Sequence, residues 1–288
     1  MKCCVYTCIT GDYEKLNDQF ESMGDVDLIC LTDSDSLKSK VWNVEKIKPF
    51  IVGNRHMSHR HVKCCPKDYP QLSYYDVTVY MDNRITANSL VRQACDYFIK
   101  SKSQIGLLNH SYRSSLFEEF QAVLQGKHDN PSNVSRIFDL ISKNFPELLV
   151  AKPFWGGAIF RNMREEVVHT FGKTWFSLLL LGSQRDQLSL QLSLHLNNIR
   201  PLIIPENIFS SYFHKWPTEV GRQKVEVQPD AEIRPIDSAV IEGINMKSIN
   251  EKLILDNEIV RLKALVNSHE KPTLIMRLLR KISRLMTG

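Results

Sequence analysis

Short apolar runs alternate with stretches of helical periodicity from residue 3 to residue 196. The first run, Cys3-Cys4-Val5-Tyr6-Thr7-Cys8-Ile9-Thr10, is rich in β-branched and aromatic side chains and closes on Gly11-Asp12. That pattern predicts a strand and a turn. It recurs at Asp27–Thr32, closed by Asp33-Ser34-Asp35, then at Trp42–Ile47, Val77–Met81 ahead of Asp82, Ile105–Leu108 and Ala158–Phe160. Helical spacing covers Ser89–Lys100, Ser114–Gln125, Val134–Lys143, Arg164–Leu181 and Arg185–Leu196, while residues 13–22 read as a surface helix or loop. Strands alternating with helices predict an α/β domain on a mainly parallel sheet, flanked by helices. Ligands of such sheets sit beyond the carboxyl ends of the strands. Asp33, Asp35 and Asp82 fall at those ends.

The pattern changes after Trp216. Residues 217–245 carry Pro217, Gly221, Pro229, Pro235 and Gly243 and are expected to form a linker or extended arm. Helical spacing resumes over Met246–Ser268, with an apolar stripe at Leu255, Ile259, Leu262 and Val266. The stripe suits self-association into a homo-oligomer or packing on the preceding domain. Beyond Pro272, Thr273–Met286 places Leu274, Leu278, Ile282 and Leu285 on one face, with Arg277, Arg280, Lys281 and Arg284 opposite. A basic amphipathic helix of this kind can lie on an anionic membrane, or dock on protein. The expected organisation is a domain over 1–216, an arm over 217–245 and C-terminal helices over 246–288.

Charge and cysteine usage narrow the class. The net charge of +5 resides in the tail, because residues 271–288 hold five basic side chains and no acidic one, leaving 32 against 32 elsewhere. A neutral body argues against a nucleic-acid binder, which spreads cations over a face. The seven cysteines all precede residue 96, and two pairs are adjacent. An odd number in a chain of this size reads as reduced, buried thiols rather than a disulfide scaffold. With no secretory leader and no apolar run near the length of a membrane span, a cytoplasmic protein is expected, peripheral at the inner face of the membrane if the tail binds lipid.

Five segments, in order, carry a family resemblance. They are Val5-Tyr6-Thr7 with Gly11; Cys30-Leu31-Thr32-Asp33; Tyr80-Met81-Asp82-Asn83, preceded by Arg60, Lys63 and Pro66; Asn109-His110 with Arg113 and Glu118-Glu119; and Arg185-Asp186-Gln187-Leu188-Ser189. Together they resemble a glycosyltransferase-like family that includes plant mucilage and cell-wall hexosyltransferases and bacterial surface-polysaccharide enzymes. The resemblance implies a GT-A-type, Rossmann-related fold and a nucleotide-diphosphate sugar donor, UDP-linked in most such folds. It implies a glycan or lipid-linked acceptor. His110, Arg113, Arg185 and Gln187 would then lie on the sugar and acceptor side.

The chemistry of that transfer selects residue types. Breaking a sugar–diphosphate bond builds negative charge on the leaving group, which a divalent cation or Arg and Lys must neutralise. Asp82 suits Mn²⁺ or Mg²⁺, with His214 as a further ligand. Folds of this type usually carry a second carboxylate two residues on, where this chain has Arg84; its charge can replace part of the metal's. Arg60 and Lys63, one helical turn apart, suit the diphosphate. Thr10, Gly11, Thr32 and Asp33 suit the nucleoside, and the Asp side chains also suit turn or cap roles. The His56-Met57-Ser58-His59-Arg60-His61 run reads as a mobile, phosphate-facing basic loop, with zinc as a rival. Asp186, at the start of a helix, is the candidate at the reaction centre. Trp155-Gly156-Gly157 offers an aromatic face and room for a sugar. The rival class is a non-catalytic nucleotide- or glycan-binding module, which Arg84 in place of a carboxylate would favour.

Overall fold

The structure is a computed structural model that describes residues 1–20 and 23–221. The expected helices at 246–268 and 273–286, with their oligomer and membrane roles, lie outside the described residues, as does the arm beyond Gly221. Along the chain the strands are β1 (Cys3–Ile9), β2 (Asp27–Thr32), β3 (Asn43–Lys46), β4 (Val77–Met81), β5 (Thr86–Ala87), β6 (Ile105–Asn109), β7 (Phe154–Asn162), β8 (Leu202–Ile204) and β9 (His214–Lys215). The helices are α1 (Arg55–Cys64), α2 (Pro70–Ser73), α3 (Val91–Lys100), α4 (Leu116–Gln125), α5 (Pro131–Asn144), α6 (Glu147–Val150), α7 (Val167–Leu181) and α8 (Asp186–Leu196).

Seven strands form one sheet in the order β3-β2-β1-β4-β7-β6-β8, while β5 and β9 pair separately. β7 runs antiparallel to β4 and β6, and every other pairing in the large sheet is parallel. The α/β class with a mainly parallel sheet is therefore as expected. All seven residues of β1 are buried, because helices cover both faces of a parallel sheet. Successive side chains alternate between two cores. Cys4, Tyr6 and Cys8 join Tyr80, Phe171 and Trp175 on one side; Cys3, Val5 and Ile9 join Val79, Phe98 and Phe160 on the other. The seven cysteines are free and buried, in keeping with the sequence reading.

Three expectations change. The run from His56 to His61 is not a loop: it lies in α1, capped by the Asn54 side chain, which accepts from the Met57 amide at 3.0 Å. Trp155-Gly156-Gly157 does not precede a strand but forms the start of β7. There the register with β6 jumps from Leu107 opposite Ile159 to Leu108 opposite Trp155, so the glycines bulge out of that ladder. Finally, the chain past Trp216 stays on the domain. Thr218 N donates to Arg84 O at 2.7 Å and Lys15 N to the Val220 carbonyl at 3.2 Å, so any arm begins later than residue 217.

Arg161 is fully buried within β7. Its guanidinium donates to the Tyr6 hydroxyl at 3.0 Å and to the Lys63 carbonyl at 2.6 Å. A cation at the last turn of α1 also complements the negative end of that helix. Arg161→Met would leave the Lys63 carbonyl without this donor. It is expected to cost about 1–3 kcal/mol, read as a lower urea midpoint at unchanged slope.

Candidate active site

Most of the residues singled out from sequence meet at one edge of the sheet. β1 ends at Thr10-Gly11, β2 at Thr32-Asp33, β4 at Asp82 and β6 at His110; because β7 runs the other way, its start brings Trp155, Gly156 and Gly157 to the same edge. The Asp82 amide donates to the Gly157 carbonyl at 2.8 Å, which ties the two together.

The first two strand ends are locked to each other and to α1. Thr10 Oγ1 donates to the Arg55 carbonyl at 2.7 Å, and the Gly11 amide to Asp33 Oδ1 at 2.9 Å. Gly11 has φ +67°, and a Cβ there would lie 2.8 Å from Arg55 Cβ, so the turn requires glycine. Thr32 Oγ1 accepts from the Ser34 amide, and exposed Asp35 pairs with Lys46. Asp33 thus ties the end of β2 to that of β1, and Asp35 makes an exposed ion pair.

At the centre, Asp186 opens α8 and is buried. Lys63 Nζ donates to its Oδ2, and an Arg60 guanidinium nitrogen lies 3.4 Å from the same oxygen. Burial pushes the carboxyl upward, but Arg60, Lys63 and then Arg185 outweigh it and hold the group well below the usual carboxylate range. Three features fix the geometry. The Trp175 indole donates to the Asp186 carbonyl at 3.0 Å. The Lys63 ammonium sits 4.9 Å from the Tyr80 ring centroid and 5.7 Å from that of Trp175. Gly156 leaves the gap above: a Cβ would lie 3.1 Å from Lys63 Nζ and 3.7 Å from Asp186 Oδ2. Gly157 is needed because a Cβ there would meet the Trp155 ring at 2.2 Å.

Other predicted residues surround this centre. Gln187 also borders the gap, its Cγ 3.6 Å from where a Cβ on Gly156 would stand, and its Nε2 is buried without a hydrogen-bond partner. His110 is buried, with Nδ1 likewise unpaired; burial, then Arg113 and Lys152, hold it down to about 4, so it is neutral at pH 7. Unpaired buried polar atoms are uncommon in proteins and suit a ligand. Arg113 pairs with buried Glu119 at 3.1 Å, and Arg185 forms the residue before α8.

Two residues stand differently from expectation. Arg84 points away from a cation-substituting role: it lies 5.9 Å from the Trp216 ring centroid and 3.5 Å from Glu219, while its amide is capped by Asp82 Oδ1 at 3.0 Å. His214 is buried with both ring nitrogens engaged, Nδ1 with Ser211 Oγ at 2.6 Å and Nε2 with the Ile208 carbonyl at 3.0 Å; it stacks on Trp155. Of the two expected ligands of a divalent cation, Asp82 alone therefore keeps a suitable role. The donor set does not fit a tightly held hard ion.

Sequence reasoning gave no site role of their own to Trp175, Tyr80 or Glu119, and took His59 only as part of the phosphate-facing run. His59 links the Tyr13 and Tyr80 hydroxyls at 3.1 and 2.9 Å beneath Lys63. The spacing of His59 and Lys63, one helical turn apart on α1, was the available signal. Trp175 gave none, because an aromatic in a helix reads as core.

Comparison with known protein families and with curated proteins finds no match. Among solved structures, the mannosyltransferase Ktr4p from S. cerevisiae is similar at 11% identity and TM-score 0.41, over 67% of this chain and 65% of that one. Core-mannan synthase A (CmsA/Ktr4) from Aspergillus fumigatus, in its Mn/GDP form, is similar at 8% identity and TM-score 0.41, over 67% and 69%. The chain thus spans just under two thirds of the first. The strand order itself defines the fold class. Among the described residues, no helix is long and apolar enough to cross a membrane.

Proposed function

We propose that the chain is a GT-A-type glycosyltransferase, moving a hexose-type sugar from a UDP-linked donor to a glycan or lipid-linked acceptor in surface polysaccharide. The observation that carries this reading is Asp186, a buried carboxylate at a helix head, held by Lys63 and Arg60 beside Gly156 at the ligand-binding edge of the sheet. A diphosphate entering there competes with Asp186 for the two cations. Once Lys63 and Arg60 turn to the phosphates, the freed carboxylate becomes more basic and can act on the acceptor. The acceptor oxygen bonds to the anomeric carbon, its proton passes to a base, and the sugar–phosphate bond breaks with its electron pair leaving on the nucleotide. The chain itself supplies Arg60 and Lys63 to neutralise the leaving group.

The resemblance to glycosyltransferases over five ordered segments supports the donor class. Arg84 in place of a second carboxylate favours the rival, a binding module without turnover. Donor hydrolysis with Mn²⁺, with and without chelator, separates them: wild type should release UDP and Asp186→Asn should not, while still binding donor. Hydrolysis at the wild-type rate by Asp186→Asn would exclude the assigned role. Thermal shift with UDP, GDP, CDP and ADP tests the nucleotide. At about 100 times Kd, UDP is expected to add about 2.7 kcal/mol. Stabilisation by another nucleotide and none by UDP would overturn the choice.

A further inference from the structure

A second constellation spans the last turn of α1 and the turn over Pro66–Asp68 that follows, and takes no part in the candidate site. His61 and Cys65 are four residues apart, and Asp68 follows three further on. Backbone bonds hold all three in one turn: Cys65 N to His61 O at 2.8 Å, Asp68 N to Cys65 O at 3.1 Å and Tyr69 N to Pro66 O at 3.2 Å. Their donor atoms lie within 4.8 Å of one another. We propose that His61 Nε2, Cys65 Sγ and an Asp68 carboxylate oxygen bind one zinc-class cation, at a site separate from Asp82 and independent of the transferase reading.

The geometry is close to that of such a site. Tetrahedral zinc with ligand bonds of about 2.0–2.3 Å sets its donors about 3.3–3.7 Å apart. His61 Nε2 and Asp68 Oδ2 are already at 3.4 Å, so only the Cys65 sulfur has to close in, by about 1 Å at most, through a small side-chain rotation. The surroundings are those of an oriented ligand. His61 Nδ1 is bonded to the Tyr69 hydroxyl at 2.8 Å, leaving Nε2 to face the other donors. Phe50 stacks on the imidazole at 3.5 Å and Phe176 meets it edge-on at 4.8 Å, which fixes the ring plane. On its other oxygen Asp68 is bonded to His169 Nε2 at 2.8 Å. Outer partners of this kind orient metal ligands and tune their basicity.

A cation entering here binds Cys65 as the thiolate and displaces the thiol proton to solvent. Asp68 and His169 are partly exposed, at 31% and 25%, and provide the way in, while Cys65 and His61 are buried. A mixed nitrogen, sulfur and oxygen set favours Zn²⁺ or Co²⁺ over Mg²⁺ or Mn²⁺. The ion is therefore of a different class from one that would assist a diphosphate. Bound there, it would tie the end of α1 to the turn that follows and, through His169, to α7.

The test is titration of the full chain, first stripped by chelator, with Co²⁺. One equivalent is expected to raise visible bands of a tetrahedral ion together with a near-ultraviolet thiolate-to-cobalt band, and Zn²⁺ should displace both. Cys65→Ser, nearly the same size, should remove the near-ultraviolet band and weaken Zn²⁺ binding by about 100-fold or more. Tyr69→Phe should weaken it by about 10-fold while keeping the spectrum. An unchanged metal-free thermal transition shows that each variant is folded. The proposal fails if folded wild type shows no cobalt spectrum at millimolar Co²⁺, or if the thiolate band survives in Cys65→Ser.

Discussion

Lys63→Met alone is expected to destabilise the protein by about 3 kcal/mol, and Lys63→Met combined with Asp186→Leu to recover most of that loss. The single change strips a buried carboxylate of its closest partner, leaving Arg60 at 3.4 Å and the Gln187 amide at 3.1 Å. Removing one member of a buried pair strands the other charge, whereas replacing both with apolar side chains removes the desolvation cost on each side. Urea unfolding of the two singles and the double gives the coupling directly. The acid side offers a second reading. Asp186 has a folded-state pKa below its unfolded value of about 3.9, so its contribution is present above that pH and fades as pH falls toward the folded value. That fading should vanish in the double variant. Function should separate from stability: the double variant folds yet no longer gains stability from UDP. A Lys63→Met protein as stable as wild type would mean that the pair does not hold these elements.

Gly172→Ala is expected to be the most damaging of the conservative changes. An added Cβ would sit 2.3 Å from the Cys64 carbonyl oxygen and 3.1 Å from its carbon. Both are backbone atoms, so no side chain can rotate away, and α7 must lift from α1. Overpacking of this kind costs about 1–3 kcal/mol, and here the upper end applies even after alanine's gain in helix propensity of about 1 kcal/mol. Because α1 carries Arg60 and Lys63 while α7 carries Trp175, the lift also spreads the cage around Asp186. Calorimetry should show a fall of several degrees. The UDP-dependent shift should shrink as well. A variant with the wild-type transition would show that the two helices have slack between them.

The strands with strong β composition were legible. Asp27–Thr32 and Val77–Met81 have the same bounds in the structure as in the sequence pattern. What escaped had physical reasons. α1 carries histidines and Arg60 where a helix would show apolar residues, because it buries polar side chains against Tyr80 and Asp186. β8 and the β5–β9 pair are too short for alternation to declare them. The reversal of β7 left no local mark, since direction is decided by neighbours far away in sequence. The centre at Asp186 was named from its helix-start position, and Lys63 from its charge; that the two are paired depends on a contact 123 residues apart. Arg84 and His214 misled because spacing gives no information on where a side chain turns.

The cysteines have a practical consequence. All seven lie in β1, β2, α3 and around the end of α1, and none is exposed. A thiol-alkylating reagent should therefore add nothing to the folded chain and a fixed mass increment for each cysteine that is uncovered. Mass spectrometry after brief labelling would then count openings of the N-terminal half of the sheet and of the contact between the end of α1 and α7, where Cys64 and Cys65 are covered. The chain comes with a built-in gauge of which part gives way first.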